Sequence, residues 1–284
     1  MQVEPVCGEK RLDFGHMRRW ATVSAMGLLV ALLVAPAMAQ QANTTSAAPA
    51  LTPKEIEALQ QYKAQTEVML KDWPNLKRFY EEDMALPQPG KDEKRVVFMG
   101  DSITQGWMNH GTDASPANPG FFPGKPWIDR GISGQTTPQM LLRFRQDVID
   151  LKPSAVVIFA GTNDVAGNTG DMTAEQTEAN LASMAELARV HHIRVVLCSI
   201  LPAYDFPWRP GREPAPKIVA INKWIKDYAD SNGDVYVDFY SAMVDSRGGL
   251  PANLSHDGVH PNPAGYAIMN PLVEAGIAKA LGQS

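Results

Sequence analysis

From Arg95 onward, short apolar runs alternate with longer amphipathic stretches. Residues 96–99, 127–130, 155–160, 194–199 and 235–239 each read as a strand. Between them, residues 138–151, 173–190, 216–230 and 263–281 carry apolar side chains at helical spacing, as Leu181, Met184 and Leu187 do. Runs that are apolar on both faces and are linked by helices predict a parallel sheet covered on each side. The expected fold class is therefore α/β: one three-layer α/β/α sandwich with about five parallel strands. Such sheets bind ligands beyond the carboxyl ends of their strands, so polar motifs should cluster there. They do.

Ahead of this domain lies a different pattern. Arg18-Arg19-Trp20 precedes an apolar run that closes on Ala37-Met38-Ala39, the signature of a secretory leader over residues 1–39 with cleavage after Ala39. Met17 stands where such a leader would normally begin. Its most apolar part, residues 27–35, is short against the roughly 20 residues a bilayer span needs. No Cys directly follows it, so no stable membrane anchor is expected and the mature chain should be periplasmic or secreted. Residues 40–51 are rich in Ala, Thr and Ser and read as a flexible tether. Thr52-Pro53-Lys54-Glu55 then has the form of a capping box with Pro at the first helical position. It opens a helical extension over residues 52–90, with a second piece at 75–86, before Pro87-Gln88-Pro89-Gly90 breaks the chain. The main domain follows, residues 91–284.

Charge and cysteine content narrow the function. With 26 basic against 31 acidic residues and no basic block, the chain does not suit binding of nucleic acid through its phosphates. Two cysteines exclude a disulfide framework and a Cys-rich zinc site. Cys7 would leave with the leader, and Cys198, set between Val195-Val196-Leu197 and Ile200, reads as a core thiol.

Four motifs stand just past strand ends or near the C-terminus. Gly100-Asp101-Ser102 follows the first strand and sets a hydroxyl toward a crevice, though alone it is also a common turn or helix cap. Gly131-Ile132-Ser133-Gly134 follows the second and can aim backbone N–H groups at an anion, or simply make a tight turn. Gly161-Thr162-Asn163-Asp164 follows the third and offers a side-chain amide donor. Asp257-Gly258-Val259-His260 puts a carboxylate within reach of an imidazole three residues on, so that the acid can hold Nδ1–H and leave Nε2 free as a base.

Taken together and in this order, these motifs resemble those of the SGNH, or GDSL-type, hydrolase family. The resemblance runs from Arg95 to about Leu281; it departs only in the Ile-Thr after the Ser, where the family name has Leu. It implies a flavodoxin-like α/β/α fold and ester hydrolysis through an acyl-enzyme. It also implies Ser102 as nucleophile, His260 as general base and Asp257 as the acid that orients it. The oxyanion hole would be made by Ser102, Gly134 and the Asn163 amide. No cofactor and no metal are implied; the partner is a small-molecule ester.

Specificity should lie in two loops at this edge. The insert 107–126 includes Phe121-Phe122-Pro123, and the loop 201–214 includes Tyr204, Trp208 and Arg209, candidates to stack on a sugar or line an acyl slot, with Arg209 or Arg212 available to an anion. The same aromatics could equally close small cores of their own. His256 reads as a rim residue, and His191-His192 as a helix end. Two other readings stay open: a metal-dependent phosphoesterase, which would need several carboxylates and histidines converging on metal, and a glycan-binding protein that kept the fold. Among esters, acetylated carbohydrate, short-chain ester, lysophospholipid and thioester all suit the machinery, with short acyl groups on a carbohydrate or small alcohol preferred. Oligomeric state is left open.

Overall fold

Alternation along each strand decides where its side chains go. In β1 (Val96–Gly100), Val97 and Met99 face one apolar layer, while Val96 and Phe98 face another. The same split divides β3 (Ala155–Phe159) and β4 (Arg194–Cys198), whose Val156, Ile158 and Leu197 join the first layer and Val157, Val196 and Cys198 the second. With β2 (Trp127–Gly131) and β5 (Val235–Val237) these strands form one parallel sheet in the order β2-β1-β3-β4-β5. The computed structural model describes residues 51–110 and 122–283. The expected leader, the tether up to residue 50, and Phe121 lie outside the described residues.

Helices cover both faces, giving the expected sandwich. Between α1 (Pro53–Lys71), α2 (Lys77–Ala85) and α3 (Ser102–His110) at the start and α8 (Phe239–Met243) and α9 (Pro263–Ala280) at the end come α4 (Thr137–Asp147), α5 (Thr162–Ala166), α6 (Ala174–Val190) and α7 (Pro214–Asn232). The first layer packs Met140 and Phe144 of α4, Leu181 and Met184 of α6, and Ile218, Ile221 and Ile225 of α7. The second packs Ile103 and Trp107 of α3 with Tyr266, Met269, Val273 and Ile277 of α9. Caps set the starts: Thr136 with Gln139 and Thr173 with Gln176 close reciprocal capping boxes, and the Asn262 side chain accepts the N–H groups of Ala264 and Gly265. No described helix is long and apolar enough to cross a membrane.

Several boundaries differ from the expected ones. The last strand ends at Val237 because the Asp238 carboxylate accepts the Ser241 N–H and opens α8, so Phe239 is helical. The 138–151 helix stops at Asp147 and finishes as a 3-10 turn, Ile149–Leu151. The hydrophobic pattern gave no warning of α3, α5 or α8, of which the last two are five residues each.

The helical extension has a definite seat from Trp73 onward. Side-chain amides of the main domain reach its backbone: Gln139 donates to Trp73 O at 2.7 Å, Gln135 to Pro74 O at 2.8 Å and Gln146 to Leu76 O at 2.6 Å. Asp83 accepts from Arg130 Nε at 2.9 Å, and the Arg130 guanidinium lies 4.5 Å from the Phe79 ring centre. In contrast, Ile56, Leu59, Tyr62 and Leu70 of α1 are exposed.

Register aligns the strand ends that carry the motifs. Gly100 pairs with Gly131 on one side and Phe159 on the other, so Ser102, the 132–135 loop and Asn163 emerge along one edge where the chain switches direction across the sheet. Glycine is required at position 100: a Cβ there would lie 2.8 Å from Phe159 O and collide with Thr104 as α3 begins.

Candidate active site

Ser102 owes its place to the residue before it. Asp101 is buried and caps α3, its carboxylate accepting the Ile103 N–H at 2.9 Å and its carbonyl the Gln105 N–H at 3.0 Å. The next residue is the first of the helix, where a backbone N–H has no intrahelical acceptor. Helix α3 is also pinned to α9: Tyr266 Oη donates to Ile103 O at 2.7 Å, and Trp107 Nε1 donates to Asn270 Oδ1 at 2.6 Å.

The turn before α9 brings the other two groups. Asp257 Oδ1 accepts the N–H of Val259 at 3.0 Å, the N–H of His260 at 2.8 Å and the Ser255 hydroxyl at 3.1 Å. Its Oδ2 lies 2.6 Å from His260 Nδ1, and His260 Nε2 lies 2.9 Å from Ser102 Oγ. Partial burial pushes the Asp257 carboxyl up. The hydrogen bonds from the His260 ring and the two backbone N–H groups outweigh that and bring it down to about 2, so it is ionised at neutral pH. Carboxylate, imidazole and hydroxyl thus touch in sequence, an arrangement able to draw a proton off Ser102.

In the loop after β2, Gly134 takes a φ of +78°, a conformation glycine adopts freely, with open space where a Cβ would stand. Asn163 is buried. Its Nδ2 donates to Gln135 O at 3.0 Å and makes a longer 3.3 Å contact to Asp101 Oδ2, while its Oδ1 accepts from Asn168 Nδ2 at 2.7 Å. Asp164 ties this loop to the start of α4 by accepting from Thr137 N and Thr137 Oγ1. Burial pushes Asp101 up to about 7 despite the Ile103 N–H and the nearby His260; Asp164, also raised by burial, adds to the rise.

Of the expected rim residues, Trp208 reaches this centre: its ring centre is 5.9 Å from that of His260, and its Nε1 donates to Asn168 Oδ1 at 2.9 Å. Tyr204 instead lies under the Arg247 guanidinium, 5.5 Å from its ring centre. Arg209 is exposed and held through its backbone N–H to Phe206 O, while Arg212 pairs with Asp171 at 2.6 Å. Trp107 and Phe122 close a core rather than a rim, both packing on Phe98. His256 is exposed.

Four further residues shape the site without a role read for them in the sequence: Ser255 and Gln135, which stand beside the motifs, and Asn168 and Arg143. Arg143 is fully buried beneath two of the loops. It donates to Gln135 Oε1 at 2.6 Å, to Gly100 O at 3.1 Å and to Asp147 at 2.8 Å. Among the described residues, no three His, Cys, Asp or Glu side chains are grouped as a metal ion would need.

A five-stranded parallel sheet of this order, covered by helices on both faces, is the α/β/α fold of SGNH hydrolases. The family model described as GDSL-like lipase/acylhydrolase matches residues 98–268, and the chain belongs to that family. A GDSL-like lipase of Bacteroides thetaiotaomicron is similar in structure, with 48% identity, a TM-score of 0.70, and coverage of 74% of this chain and 100% of its own. An acetylxylan esterase of Geobacillus stearothermophilus is 28% identical over 153 residues, 50% of this chain and 67% of that protein. An uncharacterized lipoprotein of Bacillus subtilis is 28% identical over 220 residues, 63% of this chain and 88% of that protein.

Proposed function

We propose that the chain is an exported serine esterase that removes short acyl groups, such as acetyl, from a carbohydrate or small alcohol. The observation that carries this reading is the Ser102 Oγ to His260 Nε2 contact of 2.9 Å, backed by Asp257 on the far side of the ring. His260 Nε2 takes the hydroxyl proton as Oγ bonds to the ester carbon, and Asp257 stabilises the imidazolium that results. The carbonyl oxygen becomes an anion facing the N–H groups of Ser102 and Gly134 and the Asn163 amide. When the tetrahedral adduct collapses, the C–O bond to the alcohol breaks and the alcohol leaves with the proton from His260. Water then repeats both steps on the acyl-enzyme, giving the carboxylic acid and free Ser102.

The acetylxylan esterase relative supports the preference for acetyl on carbohydrate, as does Trp208 at the rim, an aromatic face suited to a sugar ring. The leader read over residues 1–39 supports export. The test is hydrolysis of an aryl acetate and an acetylated xylo-oligosaccharide, with a phosphonate to label the nucleophile. Wild type should turn over both and be labelled on Ser102; Ser102→Ala should do neither. Wild-type turnover by Ser102→Ala would defeat the mechanism, and preference for long acyl chains would defeat the substrate.

A further inference from the structure

Resting on this esterase reading, we propose that Asn168 is a positioning residue, set by the Trp208 indole, that fixes which way the Asn163 amide faces. An amide side chain has two ends of nearly equal size, and only its hydrogen-bond partners decide which holds oxygen and which nitrogen. The indole N–H can donate and cannot accept. The end of Asn168 that meets Trp208 Nε1 at 2.9 Å is therefore its oxygen. Its nitrogen must then face the other way, where it lies 2.7 Å from Asn163 and 3.3 Å from Gly134 O. A donor arriving at Asn163 demands the Asn163 oxygen, which leaves the Asn163 nitrogen facing Gln135 O at 3.0 Å and Asp101 Oδ2 at 3.3 Å, acceptors that favour the same orientation.

The polarity runs one way through three side chains: from indole to Asn168 to Asn163. Asn163 is only 3% exposed, so water is poorly placed to replace a lost partner on its oxygen. One nitrogen of Asn168 also spans the two loops that carry Gly134 and Asn163. The same Trp208 ring rests against His260, so the loop bearing it touches both the base and the amide donor. Asn168 and Trp208 are then not interchangeable with residues of similar bulk. What matters is a donor that cannot accept, and an amide that does both.

Trp208→Phe keeps the ring and deletes the N–H; Asn168→Asp keeps the shape but offers no proton to Asn163 at neutral pH. With a small aryl acetate, each should lower kcat by about tenfold or more while KM changes less than about twofold. In an Asn163→Ala background each change should cost less than about twofold further, because its target is gone. Full multiplication of the losses in the double variants, or losses confined to KM, would overturn the relay. Should Asn168→Asp fail to fold, checked by thermal melting, the Trp208→Phe cycle alone decides the matter. A wild type that hydrolyses no ester defeats the esterase reading itself, whereas an active wild type with multiplicative losses defeats only the relay.

Discussion

Asp257 grips His260 twice: one carboxylate oxygen takes the backbone N–H at 2.8 Å and the other meets ring Nδ1 at 2.6 Å. The acid that orients the imidazole also builds the turn that delivers it. Shape and protonation can be separated by substituting Asn. Its oxygen can still accept the backbone N–H groups, but its NH2 would face Nδ1 and favour the tautomer that carries the proton on Nε2. Such an imidazole cannot take the Ser102 proton. Asp257→Asn should therefore lower kcat by about 10³–10⁴-fold with little change in melting temperature, read from aryl acetate hydrolysis and thermal unfolding.

Asn163→Ala removes a buried donor from the proposed oxyanion site and should lower kcat by about 10²–10³-fold. The measurement is steady-state hydrolysis at saturating substrate, where a loss in KM alone would argue for ground-state binding instead.

Arg143 and Asp147 form an ion pair with both side chains almost wholly out of water. Replacing Arg143 by Ala leaves the Asp147 charge buried and frees Gln135 and the Gly100 carbonyl at once. Urea denaturation should show a loss of about 3–5 kcal/mol, whereas Arg143→Ala with unchanged stability would mean water replaces the guanidinium at no cost.

Asp129 makes a prediction about pH. Burial pushes its carboxyl up to about 7 from an ordinary 3.8, against the Gly131 N–H and the nearby Arg130, and one of its oxygens has no hydrogen-bond partner. Between those two values the unfolded carboxylate has lost its proton while the folded one keeps it. Its contribution to stability is thus full below the unfolded value and is lost as pH rises toward about 7. Asp129→Asn should remove this slope and raise the melting temperature by several degrees at about pH 8 relative to wild type, with little gain at about pH 4.

Much of the framework could be read directly. The runs in β1, β3 and β4 are Val-rich and, Arg194 apart, buried on both faces, the condition under which an apolar run with no alternation signals a parallel strand. Helices α3 and α5 escaped because each starts inside a motif: α5 is bounded by Gly161 and Gly167, both at positive φ, and α3 carries Gly106, where a Cβ would lie 2.6 Å from Tyr266 Oη, while α8 is only five residues long. Ser102, Asp257 and His260 were legible because their types and order carry chemistry. Asn168 was not, although it lies five positions after Asn163, because its value depends on an indole from a distant loop. Arg143 reads locally as one more charged position on an amphipathic helix; only the folded chain sets it under two loops.

Hydroxyl and imidazole stand 158 positions apart, and the helix that begins at Ser102 is bolted to the one that follows His260 through Tyr266 and Asn270. A nascent chain that has not yet reached His260 therefore holds Ser102 without its imidazole partner, and under the proposed mechanism it is chemically silent. Turnover becomes a gauge of completed folding: after dilution from denaturant it should return with the slowest phase, later than helical circular dichroism.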